Sequence, residues 1–168
     1  MVTRLDPKLD KSRWGKGPWI EESDYYYWID ELTGYYCCVR RGPVGSLCGY
    51  VGISKTHPYY NMNHEDSEIY NLDCHGGITF TGSAKLDDRR NFYIPLHENQ
   101  PIEVLMIGFD CSHSGDYSPS FGATLRDLGD PYRDFEYVKK EVTSLALQLS
   151  QVEPEVIAIN KMKSEIGL

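Results

Sequence analysis

The chain has 168 residues, 40% of them hydrophobic and 25% charged, which suits one domain with a real core and leaves too little length for two generous ones. A formal charge of −8 removes the whole-molecule field that draws in a phosphate backbone, so general nucleic-acid binding is not expected. A small anion held by one or two arginines and a glycine turn is still open to such a protein. No run of about 18 apolar residues occurs and no apolar stretch follows the first residues, which predicts no membrane span, no signal peptide and a cytoplasmic location.

Residues 1–23 are polar, with glycine and proline around Trp14 and Trp19, and show neither helical nor strand periodicity. They read as an irregular N-terminal arm pinned to the body by its tryptophans. From Tyr25 the aromatic run YYYWI and the run YYCCVRR flank Asp30–Gly34, a cluster of turn formers, and so predict a hairpin. The turn Gly42-Pro43-Val44-Gly45 leads into SLCGYVGI, a third strand in which Gly49 and Gly52 mark a bulge or a close approach. A long polar and aromatic loop follows, carrying His57, Pro58, Tyr59 and Tyr60.

The segment GGITFTG then predicts a strand with Ile78 and Phe80 on one face and Thr79 and Thr81 on the other, ended by Gly82-Ser83. Ile102 to Phe109 is the most hydrophobic run and reads as a central strand covered on both faces, delivering Asp110 at its end. Asp130 can cap a helix that has Pro131 in its first turn. Phe135, Val138, Val142, Leu145, Leu149 and Val152 then recur three and four residues apart. That predicts a main helix over 131–152, stopped by Pro154, with EVIAI trailing or adding an edge strand. The whole is a single α+β domain over 1–168, a mixed or antiparallel-leaning β-sheet with one long C-terminal helix packed on it.

Two stretches carry most of the chemistry. LDCHGGITF places His75 before Gly76 and Gly77, whose backbone N–H groups no Cβ obstructs and which can form a nest for an anion or carbonyl. IGFDCSHSGD places Asp110, His113 and Asp116 in and after the buried strand. Asp110 suits a ribose hydroxyl, an amide or a general-base role, and equally a cap on the following turn. His57 and Tyr59 offer an imidazole and an aromatic face for stacking a base. Arg40 and Arg41, or Arg89 and Arg90, can contact phosphate, although solvated surface is the commoner role for such residues.

The Cys, His and Asp spacing matches no zinc signature, so no metal and no cofactor is expected. Cys74 and His75 are neighbours on a strand and point opposite ways, which argues against a Cys-His nucleophile. The five cysteines, odd in number and irregularly spaced, do not form a disulfide framework, and most of them read as buried thiols. If the strands after His75 and before Asp110 pair antiparallel, those two residues are expected at opposite ends, and a parallel pair or a bent sheet is needed to bring them together.

The combination of GYVGISKTHPYY, LDCHGGITF, IGFDCSHSGD and YRDFEYVKKEVTSLALQL resembles a family of small proteins encoded by phages and prophages, over about residues 49–149. The resemblance implies a phage context, and with it the bacterial host cytosol, for His57, Tyr59, His75, Gly76, Gly77, Asp110, Cys111, His113 and Asp116, without assigning any of them a role. Small acidic phage proteins are often directed at bacterial immunity, and one class of them sequesters nucleotide messengers. The leading expectation is therefore an anti-defence protein that binds a small polar or phosphorylated ligand through His57, Tyr59, His75, Gly76, Gly77, Asp110, His113 and Asp116. One alternative is a hydrolase acting through Asp110, His75 and His113, with or without a metal. The other is an inhibitor that binds a host protein through a tyrosine-rich surface, and the thirteen tyrosines also allow a homo-oligomer.

Overall fold

The computed structural model describes residues 1–85, 103–122 and 129–165. The loop with Arg89 and Arg90, and Ile102 at the start of the apolar run, lie outside them. The described strands are β1 (Val2–Arg4), β2 (Tyr25–Ile29), β3 (Tyr36–Arg41), β4 (Leu47–Ile53), β5 (Phe80–Lys85) and β6 (Glu103–Asp110). Among the described residues a 3-10 turn (Pro18–Ile20) and three α-helices accompany them: α1 (Ser67–Tyr70), α2 (Pro119–Gly122) and α3 (Phe135–Glu165). The strands form one sheet in the order β1-β2-β3-β4-β6-β5, with every neighbouring pair antiparallel. The fold is α+β, with one long helix packed on the sheet, as the alternation of apolar residues predicts.

Because strand side chains alternate faces, the sheet builds two apolar layers. Tyr26, Cys37, Val39, Val51, Leu105, Ile107 and Phe109 face α3, whose Phe135, Val138, Val142, Leu145 and Leu149 are all buried against them. Tyr25, Tyr27, Tyr36, Cys38, Val104 and Met106 form a second cluster on the other face. β6 alternates between the two, which is why it reads as a continuous apolar run in sequence. The helix comes so close to the sheet that a Cβ on Gly49 would lie 2.6 Å from a Val142 methyl and 2.5 Å from the Phe109 ring. The close approach expected at Gly49 is thus made by the protein's own helix.

Four local expectations are corrected. The N-terminal arm is not wholly irregular, since Val2–Arg4 pairs with Tyr25–Tyr27 as an edge strand, although Trp14 and Trp19 do pin it, at 4% and 5% exposure. β5 runs through Gly82 and Ser83 to Lys85, because its pairing with β6 outweighs the turn preference of those two residues. Phe80 lies over Tyr50 on the second face, whereas Ile78 precedes the regular strand and joins the α3 side. The main helix starts at Phe135 and passes Pro154, because a proline removes a single N–H and the rest of the ladder can continue. Its cap is Asp134 in place of Asp130: the Tyr137 N–H donates to Asp134 Oδ1 at 2.9 Å.

The arm, the hairpin and the helix start are tied together by one buried ionic network. Arg41, with its side chain fully buried, donates from Nε to Asp24 at 2.7 Å and from Nη2 to Glu22 at 2.9 Å. Its Nη1 reaches the Tyr132 hydroxyl at 2.6 Å, and Tyr132 in turn donates to Glu22. Arg41 is therefore neither the solvated surface residue that its type favours nor open to a phosphate, because its guanidinium is used inside the protein. Among the described residues no helix is long and apolar enough to cross a membrane.

Candidate functional site

Two turns and the start of α3 converge at one end of the sheet. Cys74–Gly77 is closed by the Gly77 N–H on the Cys74 carbonyl at 3.0 Å, with Gly76 at φ +67°. His113–Asp116 is closed in the same way by the Asp116 N–H on the His113 carbonyl at 3.0 Å, with Gly115 at φ +94°. The paired His and Gly motifs in the sequence are thus two turns of one kind, each presenting a histidine. Gly76 is required twice over: its φ is one that side chains rarely adopt, and a Cβ there would lie within 2.1 Å of the His113 ring.

Asp116 is the centre. Its side chain is 2% exposed, and it accepts from His75 Nε2 at 2.7 Å, from Arg133 Nε at 3.0 Å and from the His113 backbone N–H at 3.2 Å. Burial pushes its carboxyl up, but the hydrogen bonds from His75 and Arg133 outweigh that and hold it below the ordinary value of 3.8. The other nitrogen of His75, Nδ1, meets the Tyr137 hydroxyl at 2.9 Å. Arg133 also covers the Tyr137 ring, with its Cζ 4.6 Å from the centroid. His113 stands 5.5 Å from His75 between ring centroids, and its Nδ1 lies 3.6 Å from Asp116 Oδ2, too far for a hydrogen bond. That nitrogen is buried without any hydrogen-bond partner.

The expected geometry of His75 and Asp110 is corrected by the register. An antiparallel pair sets the start of one strand beside the end of the other, so Phe80 opposite Gly108 brings the His75 turn to the Asp110 end of the sheet. The carboxylate that His75 meets there is nevertheless Asp116. Asp110 accepts from Ser112 Oγ at 2.6 Å, from the Ser112 N–H at 3.1 Å and from Thr79 Oγ1 at 3.0 Å, which makes it the cap of its own turn. The Gly77 amide closes the Cys74 turn. His57 and Tyr59 are brought into the interior, at 3% and 7% exposure, with His57 Nε2 3.0 Å from the Leu149 carbonyl and Nδ1 accepting from the Tyr59 N–H. Neither presents an open ring face.

The cysteines are all free thiols. Burial raises every one of them, Cys48 to about 11 and Cys74 to about 12, so none carries useful thiolate at neutral pH. Arg133 and Tyr137 are the site residues that sequence reasoning passed over. Tyr137 lies in the first turn of α3 and Arg133 just before the helix begins, and no local sequence pattern marks either as a partner of His75 and Asp116.

A recess that shares no lining residue with the His75 group, open to solvent and about 480 Å³ in volume, lies between the arm and the β3–β4 hairpin. Asp6, Lys8, Arg40, Gly42, Pro43 and Tyr50 line it. No family model, curated protein or solved structure matches the chain.

Proposed function

We propose that the chain is a small-ligand-binding protein whose site is the His75, His113 and Asp116 group with Arg133 and Tyr137. In the phage setting that the resemblance implies, its ligand is a nucleotide-derived immune messenger and its role is sequestration. The observation that carries the reading is the Asp116 carboxylate, almost fully buried and held by three donors, beside a His113 nitrogen with no partner. Such a group is set before any ligand arrives, so little ordering entropy opposes binding. His113 and Arg133, with side chains 34% and 27% exposed, are the groups through which a polar or phosphorylated molecule reaches it.

Binding is favoured over hydrolysis because two of the three groups of the hydrolase alternative, His75 and Asp110, are engaged. Both nitrogens of His75 have partners, and of the two oxygens of Asp110 one serves its own turn through Ser112 while the other accepts from Thr79. A second placement is favoured by the recess at Arg40, whose volume of about 480 Å³ falls in the range of small-molecule sites. There Lys8 and Arg40 would take the phosphate.

The test is capture and release. The purified protein is incubated with cyclic nucleotides, ADP-ribose derivatives or extract of phage-infected bacteria, washed, denatured, and the released molecules analysed. Intact ligand near one per chain is the expected result. Converted product with turnover supports the hydrolase instead, and the effects of His113→Gln and Arg40→Gln on capture distinguish the two placements.

A further inference from the structure

We propose that His75, His113 and Asp116 bind one divalent transition-metal ion of the zinc class. This goes beyond ligand capture and stands or falls without it, since it is tested with the metal alone. One donor atom from each of the three residues lies within 4.8 Å of the other two. Ligands at about 2.0–2.2 Å from a tetrahedral ion sit roughly 3.4 Å from one another, so small movements of these side chains close the site.

Three further features point to an ion. The first is His113 Nδ1, buried and unpartnered 3.6 Å from Asp116 Oδ2, which a metal would satisfy. The second is that the far atom of each other ligand is already committed. His75 Nδ1 is 2.9 Å from the Tyr137 hydroxyl, and Asp116 Oδ1 accepts from Arg133 at 3.0 Å. That leaves His75 Nε2 and Asp116 Oδ2 turned toward each other and toward His113. Outer partners of this kind orient imidazole and carboxylate ligands around metals and fix the histidine tautomer. With the ion bound, the His75 proton sits on Nδ1 and is donated to the Tyr137 oxygen, leaving the Nε2 lone pair for the metal.

The third is access. His113 is one-third exposed, so an ion can reach the group from solvent, and three protein ligands leave a fourth position for water or an anion. Two imidazoles and one carboxylate select zinc, cobalt or nickel over magnesium and calcium, which prefer all-oxygen sites. Gly76 belongs to the same device, because any side chain there would displace the His113 ring. The ligands come from two turns 38 residues apart in sequence, counting from His75 to His113, and so form no local spacing signature.

The experiment uses the full chain freed of metal with a chelator and titrated with Co²⁺. A one-to-one complex with the visible absorption of low-coordinate cobalt, displaced by Zn²⁺, is expected. His113→Gln should weaken it at least about tenfold while leaving the circular dichroism and melting temperature near wild type, because its Nδ1 makes no hydrogen bond to lose. His64→Gln, a change at an exposed histidine outside the group, should bind as wild type does. Absence of a one-to-one complex, or equal binding by wild type and His113→Gln, overturns the proposal.

Discussion

At Gly76 the backbone holds φ +67° against the face of the His113 ring, whereas at Gly77 φ is +84° and an added Cβ meets nothing within 4 Å. The two glycines therefore separate strain from collision. Gly77→Ala should cost only the left-handed backbone, about 1–2 kcal/mol by chemical denaturation, and leave the site intact. Gly76→Ala should cost more than that and also displace His113, which histidine side-chain NMR signals would report. Asp110 supports a pH prediction. Burial raises its carboxyl, but the hydrogen bonds from Ser112 and Thr79 together outweigh that and set it below 3.8. The unfolded chain then takes up this proton first as pH falls. The contribution to stability is complete above about pH 4 and is lost as pH drops through the lower, folded value. Asp110→Asn should flatten the acid limb of a stability-against-pH curve. An unchanged limb would show that the Asp110 hydrogen bonds hold its ionised form no better than water does.

Among the elements, the start of α3 links fold to site most directly. Asp134 caps the helix through the N–H of Tyr137, and the Tyr137 hydroxyl holds His75. Asp134→Ala should lower stability by about 1 kcal/mol in urea unfolding and loosen the Tyr137 to His75 contact. Arg41 ties β3 to the arm through Asp24 and Glu22, and Arg41→Met leaves the buried Asp24 with Lys11 as its remaining ion-pair partner, at a cost below the roughly 3–5 kcal/mol of a wholly uncompensated buried charge. The elements themselves were legible because their apolar residues follow the periods of strand and helix: Tyr25 to Ile29, Leu47 to Ile53 and the stripe from Phe135 to Leu149 read directly. Their ends were not. Gly82, Ser83 and Pro154 have local preferences that pairing with β6 and the continuing helix ladder override, and Val2–Arg4 has no strand pattern apart from its partner β2.

On the scale of the whole molecule, the site is a product of topology. Sequence motifs pointed to His75, His113 and Asp116, yet the pairing of His75 with Asp116 depends on a loop after β6 folding back over a turn before β5, and no local pattern encodes that. Arg133, just before α3, and Tyr137, in its first turn, arrive from a third part of the chain, and no local pattern marks either. His57 and Tyr59 sit in an aromatic motif that looks like a surface platform, but the fold turns both inward to Leu149 and the core. The central claim is that the His75, His113 and Asp116 end of the sheet holds the ligand, and capture and release by wild type and His113→Gln, run side by side on folded protein, tests it. Intact ligand near one per chain from wild type and little from the variant is the predicted result; equal release from the two, or none from wild type, contradicts it.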